Sequence, residues 1–188
     1  MNILKCLVLF AVIGCNSVKQ EDNCNQLYIN ANNLLNKYYE TDNTMYLIQA
    51  NESLDSIKCE KYKYRLNAVD LKITIYTLNH EYKKGLEFVY SLDSCDFDKP
   101  YQKTMFTNHF KAIDCRDNRV KDSLYYSTIR EINDYLRSNK DEAALFDLFV
   151  IKSKIQDRLT IKREIDSLKS INIYDSSFLD NIIKSIYE

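Results

Sequence analysis

Two apolar stripes meet at residues 79–81. Leu66, Val69, Ile73 and Tyr76 recur at helical spacing, and beyond the polar Asn79-His80-Glu81 the same spacing returns in Tyr82, Gly85, Leu86, Val89 and Leu92. Residues 62–97 therefore read as two helices folded back on each other, each with one oily stripe. A lone hairpin cannot hide both stripes, so it needs similar neighbours on either side.

The rest of the chain supplies them. A first helix over about Asp22–Glu40 carries Cys24, Leu27, Ala31, Leu34, Leu35 and Tyr38 on one face, and a turn at 41–44 leads to a second with Leu47, Ala50, Leu54 and Ile57. Asp98 reads as the cap of a fifth helix, with Pro100 in its first turn and Met105, Phe106, Phe110 and Ile113 as its stripe. A long sixth follows on Val120, Leu124, Ile129, Ile132 and Leu136, then a seventh capped by Asn139 and carrying Leu145, Leu148, Phe149, Ile155 and Leu159. An eighth follows Thr160 on Ile161, Ile165, Leu168 and Ile171, and a short last helix bears Phe178, Leu179, Ile182, Ile183 and Ile186. With two glycines and one proline in 188 residues there is little material for tight β-turns or phosphate-cradling loops, so the expectation is an all-α fold.

The first 15 residues have a different character. Lys5 precedes the apolar run Leu7–Ile13, which is too short to span a bilayer and ends in Val12-Ile13-Gly14-Cys15. That ending resembles the bacterial lipobox. The resemblance implies cleavage before Cys15, lipidation of its thiol and acylation of the new amino terminus, leaving residues 1–14 as signal peptide and 15–21 as anchor and polar tether to a helical domain over 22–188. Cleavage would remove Lys5 alone from 26 basic residues and leave all 27 acidic ones, so the mature chain is mildly acidic and offers no basic stripe to a nucleic acid. Asn16, rather than aspartate, directly after the lipid cysteine favours the outer membrane by the same resemblance.

Ser53-Leu54-Asp55-Ser56, Ser91-Leu92-Asp93-Ser94 and Ser167-Leu168-Lys169-Ser170 close three helices, and their leucines are 38 and 76 residues apart. A two-helix period near 38 resembles the tetratricopeptide solenoid, whose unit is about 34 residues. His80–Glu87 is similar to that family's second helix, with Gly85 at its small-residue position and Tyr76 at the aromatic of the helix before it. The expected Trp and Leu-Gly of the first helices are missing, and proline closes one unit alone, at Pro100. The resemblance implies about four helical hairpins with the last helix as a cap.

No constellation of side chains announces chemistry. His80 and His109 have no second ligand at metal spacing, His109 and Cys115 fall on different faces of a helix, and Asp93, Asp96 and Asp98 lack the glycine a calcium loop uses. Neither metal nor cofactor is expected, nor a small-molecule substrate. The aromatic content is more suggestive: of fifteen tyrosines, Tyr62, Tyr64, Tyr90 and Tyr101 lie off or beside the main stripes and read as partner-binding candidates. Cys24 and Cys59 are equidistant from the midpoint between Thr41 and Asp42, so a hairpin turning there sets them opposite each other, in reach of a disulfide. Cys95 and Cys115 lie at opposite ends of the fifth helix, roughly 25–30 Å apart, and read as free thiols.

The leading expectation is a lipid-anchored, non-catalytic helical-repeat adaptor of the cell envelope, gripping a protein or peptide. An immunity-type lipoprotein that neutralises a toxin is the second reading, and an enzyme acting through Cys95 or Cys115 the third.

Overall fold

The computed structural model describes residues 3–60 and 62–187, with side chains from Gln20 onward. The side chains of Val12–Cys15, the stretch that resembles a lipobox, therefore lie outside the described residues. Among the described residues the chain is all-helical, with nine α-helices, one short 3-10 turn at Ser94–Asp96 and no strand. None of these helices is long and apolar enough to cross a membrane.

The chain divides into two compact units, Met1–Gly85 with Cys95–Asp98, and Leu86–Ser94 with Lys99–Glu188. The first holds α1 (Ile3–Thr41), α2 (Met45–Asp55) and α3 (Arg65–Leu78). α1 packs on α2, and α3 packs on both. Its core joins Ala31 and Leu35 of α1, Leu47, Ala50 and Leu54 of α2, and Ala68, Leu71 and Ile75 of α3. Ala31 and Ala50 are fully buried, which lets the two backbones approach closely. There Ser53 Oγ donates to the Leu27 carbonyl at 2.9 Å and accepts from Asn30 Nδ2 at 3.3 Å.

Two expectations change in this unit. The first helix does not begin near Asp22: residues 16–21 are helical and continuous with α1, and no glycine or proline interrupts residues 15–41. α3 also buries two faces: Ala68, Leu71 and Ile75 meet α1 and α2, while Val69, Ile73 and Tyr76, the stripe read from sequence, are buried as well.

Left-handed residues end three helices. Asp42, His80 and Asn172 have φ of 54°, 56° and 52°, a conformation that Asp, His and Asn tolerate better than most side chains. Asp42 stops α1 where the first turn was expected, and His80 separates α3 from α4 (Tyr82–Ser91), inside which one unit gives way to the other.

The second unit contains α5 (Gln102–Asp114), α6 (Asn118–Leu136), α7 (Glu142–Lys152), α8 (Arg158–Ile171) and α9 (Ser176–Tyr187). α6 packs on α5 and α7, and α9 on α7 and α8. Phe149, Ile132, Ile161, Ile165, Leu179 and Ile182 are almost wholly enclosed, each burial contributing on the order of 1.5–3 kcal/mol. Buried Asn108 ties α5 to α6, its Nδ2 donating to Thr128 Oγ1 at 3.1 Å and to the Leu124 carbonyl at 3.2 Å.

Several boundaries move. α5 starts at Gln102 after Tyr101, not at a cap on Asp98, and the Gln102 side chain accepts from the Lys99 N–H at 3.0 Å. Asp141, not Asn139, caps α7 by accepting from Ala144 N–H; Asn139 instead donates to the Tyr135 carbonyl and closes α6. Asp157 caps α8 through Leu159 and Thr160 N–H, which puts Leu159 in the first turn of α8, exposed. On α6 the buried residues are Tyr125, Thr128 and Ile132, and Val120 is exposed.

Candidate functional site

In the first unit the connector between α2 and α3 is tied to α1 at several points. A disulfide joins Cys24 of α1 to Cys59 of the connector, with Cα atoms 6.3 Å apart, and Cys59 Sγ lies 3.1 Å from the Gln20 carbonyl oxygen. Lys63 N–H donates to Asn25 Oδ1 at 3.1 Å. Tyr64 stacks on Tyr28 with ring centroids 4.7 Å apart and planes 22° from parallel, and Lys63 Nζ stands 5.1 Å from the Tyr64 ring centre. Tyr62 packs against the core of the unit, as do Ile57 and Tyr28. Burial raises the Tyr62 hydroxyl above the ordinary tyrosine value, against the nearby Arg65 cation; burial also raises Tyr28, with Tyr64 and Asp70 adding to it.

Tyr62 and Tyr64 thus belong together with Tyr28 in one aromatic cluster, each partly exposed at its rim. Tyr90 lies elsewhere. It is 53% exposed on α4, with Lys111 Nζ 5.6 Å from its ring centre. Tyr101 is a correction: at 2% exposure it is a core residue of the second unit and offers no surface to a partner, because its ring is packed edge-on to Tyr135 at 5.3 Å. Cys95, exposed, and Cys115, half-buried, are free thiols.

Tyr101 takes part in a polar node that the sequence reading missed. Its hydroxyl donates to Asp147 Oδ2 at 2.8 Å, while Asp141 Oδ2 accepts from Lys99 Nζ at 2.5 Å and from the Tyr135 hydroxyl at 3.1 Å. Burial raises the Asp147 carboxyl above the usual carboxylate range, despite Tyr101 and Lys99 favouring its anion. Burial pushes Asp141 the same way, but Lys99, the Ala144 N–H and Tyr135 together bring it below that range. The Tyr101 hydroxyl is raised strongly, by burial first and then by the two carboxylates. The node ties the start of α5 to the end of α6 and the start of α7. Residues 99, 101, 135, 141 and 147 show no common spacing, so no periodicity could have found it.

The remaining candidates have structural partners. His80 Nδ1 is 2.6 Å from the Tyr82 hydroxyl in the α3–α4 turn. Burial, with Lys154 adding to it, lowers His109 to about 4. Asp96 is ion-paired with Arg65. Among the described residues no group of three or more His, Cys, Asp or Glu could hold a metal ion. No family model, no curated protein and no solved structure matches the chain.

Proposed function

We propose that this is a lipid-anchored protein of the bacterial envelope, held through Cys15 with the outer membrane favoured, that serves as a non-catalytic helical-repeat adaptor for a protein or peptide partner. The observation that carries the location is the Cys24–Cys59 disulfide, a bond that persists in oxidising compartments and is rare in the cytosol. It agrees with the lipobox reading of Val12–Cys15, which rests on different residues.

The repeat reading takes the helices as a tetratricopeptide-like solenoid of about four hairpins capped by α9. It is supported by the packing of α1 on α2, α2 on α3, α5 on α6 and α6 on α7, and by the three Ser-Leu-x-Ser segments, which fall at the C-terminal ends of α2, α4 and α8; α9 packs on α7 as well as on α8. Against equivalence of the copies, Ser53 is buried on α1, whereas Ser91 and Ser167 are exposed. Tandem packed helices provide binding surfaces rather than reaction centres, and exposed tyrosines such as Tyr39, Tyr90 and Tyr126 supply broad contact area with few rotatable bonds.

The test has two arms. Cys15→Ser should abolish incorporation of a fatty-acid analogue and leave an uncut precursor; normal labelling of that variant refutes the anchor. Envelope pull-downs with the lipidated protein should recover one specific partner, lost on Tyr90→Ala; repeated recovery of nothing specific, where a control adaptor succeeds, refutes the adaptor.

A further inference from the structure

We propose that the bridged connector between α2 and α3, through its described residues 56–60 and 62–64, is the face of the protein that lies on the phospholipid headgroups of its own bilayer. The inference rests on the reading of Cys15 as the anchor, and it adds an orientation that the anchor alone does not fix. A flexible tether would let the domain tumble above the membrane. Here α1 runs without a break through residues 15–24, so the backbone that carries the anchor is the backbone that carries the bridge.

The distances are short. At about 1.5 Å per residue, Gln20 is roughly 7–8 Å along the axis from Cys15, and Cys24 roughly 13–14 Å. The headgroup layer is itself about 5–8 Å thick on each side of the hydrocarbon. Cys59 reaches the Gln20 carbonyl at 3.1 Å, so the connector touches α1 within two turns of the anchor. Tilting the helix brings the connector nearer to the bilayer when it tips towards that side. The α1–α2 turn, by contrast, is at Asp42, some 40 Å along the same axis from Cys15.

The chemistry of the connector suits zwitterionic headgroups. Lys58 and Lys63 are exposed; Lys58 Nζ donates to the Asp55 carbonyl at 3.0 Å and Lys63 Nζ stands over the Tyr64 ring, yet each ammonium keeps further N–H donors for phosphate oxygens, while Glu60, also exposed, can meet a headgroup ammonium. Glu21 and Asp22 on the adjoining turn of α1 are exposed too, so the face has both signs and does not select for anionic lipid. Tyr62 packs on the core and Tyr64 stacks on Tyr28, so each offers the interface only the exposed rim of an amphipathic ring.

The experiment uses the full lipidated protein in vesicles of zwitterionic phospholipid, a fraction of it bearing a photoreactive headgroup. Vesicle flotation and fatty-acid labelling at Cys15 are read in the same sample. The expected result is crosslinking to residues 56–64 several-fold above that to residues 37–48, unchanged when anionic lipid is added and reduced several-fold in Lys58→Glu/Lys63→Glu. Protein that carries fatty acid at Cys15 and floats, yet crosslinks equally at both segments or only at 37–48, overturns this inference while leaving the anchor standing. Crosslinking to 56–64 that appears only with anionic lipid overturns the zwitterionic assignment. Protein that neither labels nor floats overturns the anchor and this inference with it.

Discussion

The Tyr101 hydroxyl and the Asp147 carboxylate, 46 residues apart in sequence, are joined by a 2.8 Å hydrogen bond that fixes the entry of α5 to α7. The bond has unequal ends. Tyr101 is enclosed, whereas Asp147 is a partly buried anion whose carboxyl is held above the usual range.

Tyr101→Phe should therefore destabilise the second unit by roughly 1–3 kcal/mol, since it leaves a partly buried carboxylate without its donor. Asp147→Asn should do the reverse at neutral pH. A carboxyl raised in the fold favours the native state when protonated; that contribution is complete below the unfolded value of 3.8 and is lost as pH rises through the folded value. The variant should thus exceed the parent in urea midpoint at pH 7, and the advantage should vanish in acid. An advantage that is the same at every pH would show that the charge is not its source.

His109 gives the opposite slope. Its folded value of about 4 lies below the unfolded value of 6.5, so the unfolded chain takes up a proton first as pH falls, and stability declines between these two values. The decline should amount to at most about 3 kcal/mol. In His109→Leu the stability profile between pH 6.5 and 4 should flatten by that amount; an unaltered profile would place the acid sensitivity elsewhere.

Replacing both Cys24 and Cys59 by alanine should cost about 3–4 kcal/mol in the chain-entropy account of a loop this long. The fold should survive, because the Lys63–Asn25 hydrogen bond and the Tyr28–Tyr64 stack still hold the connector. Thermal melts with and without a reducing dithiol measure it: the parent should drop to the level of the double variant, which should not respond.

Gly85 is buried within α4. Gly85→Leu should destabilise by about 1–3 kcal/mol through overpacking, whereas Gly85→Ala should be close to neutral, the helix-propensity gain of roughly 0.5–1 kcal/mol offsetting a small clash. Equal melting temperatures for the leucine variant and the parent would show that the site has room.

Periodicity found the elements because it reports which face of a helix is apolar, and among the described residues each of the nine helices overlaps one of the nine stripes, with several ends displaced. It failed on choices between adjacent polar residues. Asn139 and Asp141 are both competent caps, and Asp141 caps because its other oxygen is held by Lys99 and Tyr135, which no local pattern reveals. It failed again on α3, where a helix enclosed on two sides loses the contrast that a single stripe needs. The turn at Asp42 was legible from the polar run 41–44 itself, and the equal distance of Cys24 and Cys59 from it then placed the bridge. Tyr101 was misplaced because an amphipathic ring reads alike whether its hydroxyl meets water or a buried Asp147.

The unbroken α1 has a rotational consequence. A helix turns by about 100° per residue, so the azimuth of the first unit about the axis of α1 is set by the number of residues between Cys15 and Cys24. One alanine inserted at residue 18 would swing the connector by about 100° away from its original heading, whereas seven would return it to within about 20° while raising it by roughly 10 Å. With Cys15 as the proposed anchor, anchor and domain would be phased like two cogs on one shaft, and in this stretch the count of residues matters more than their identity.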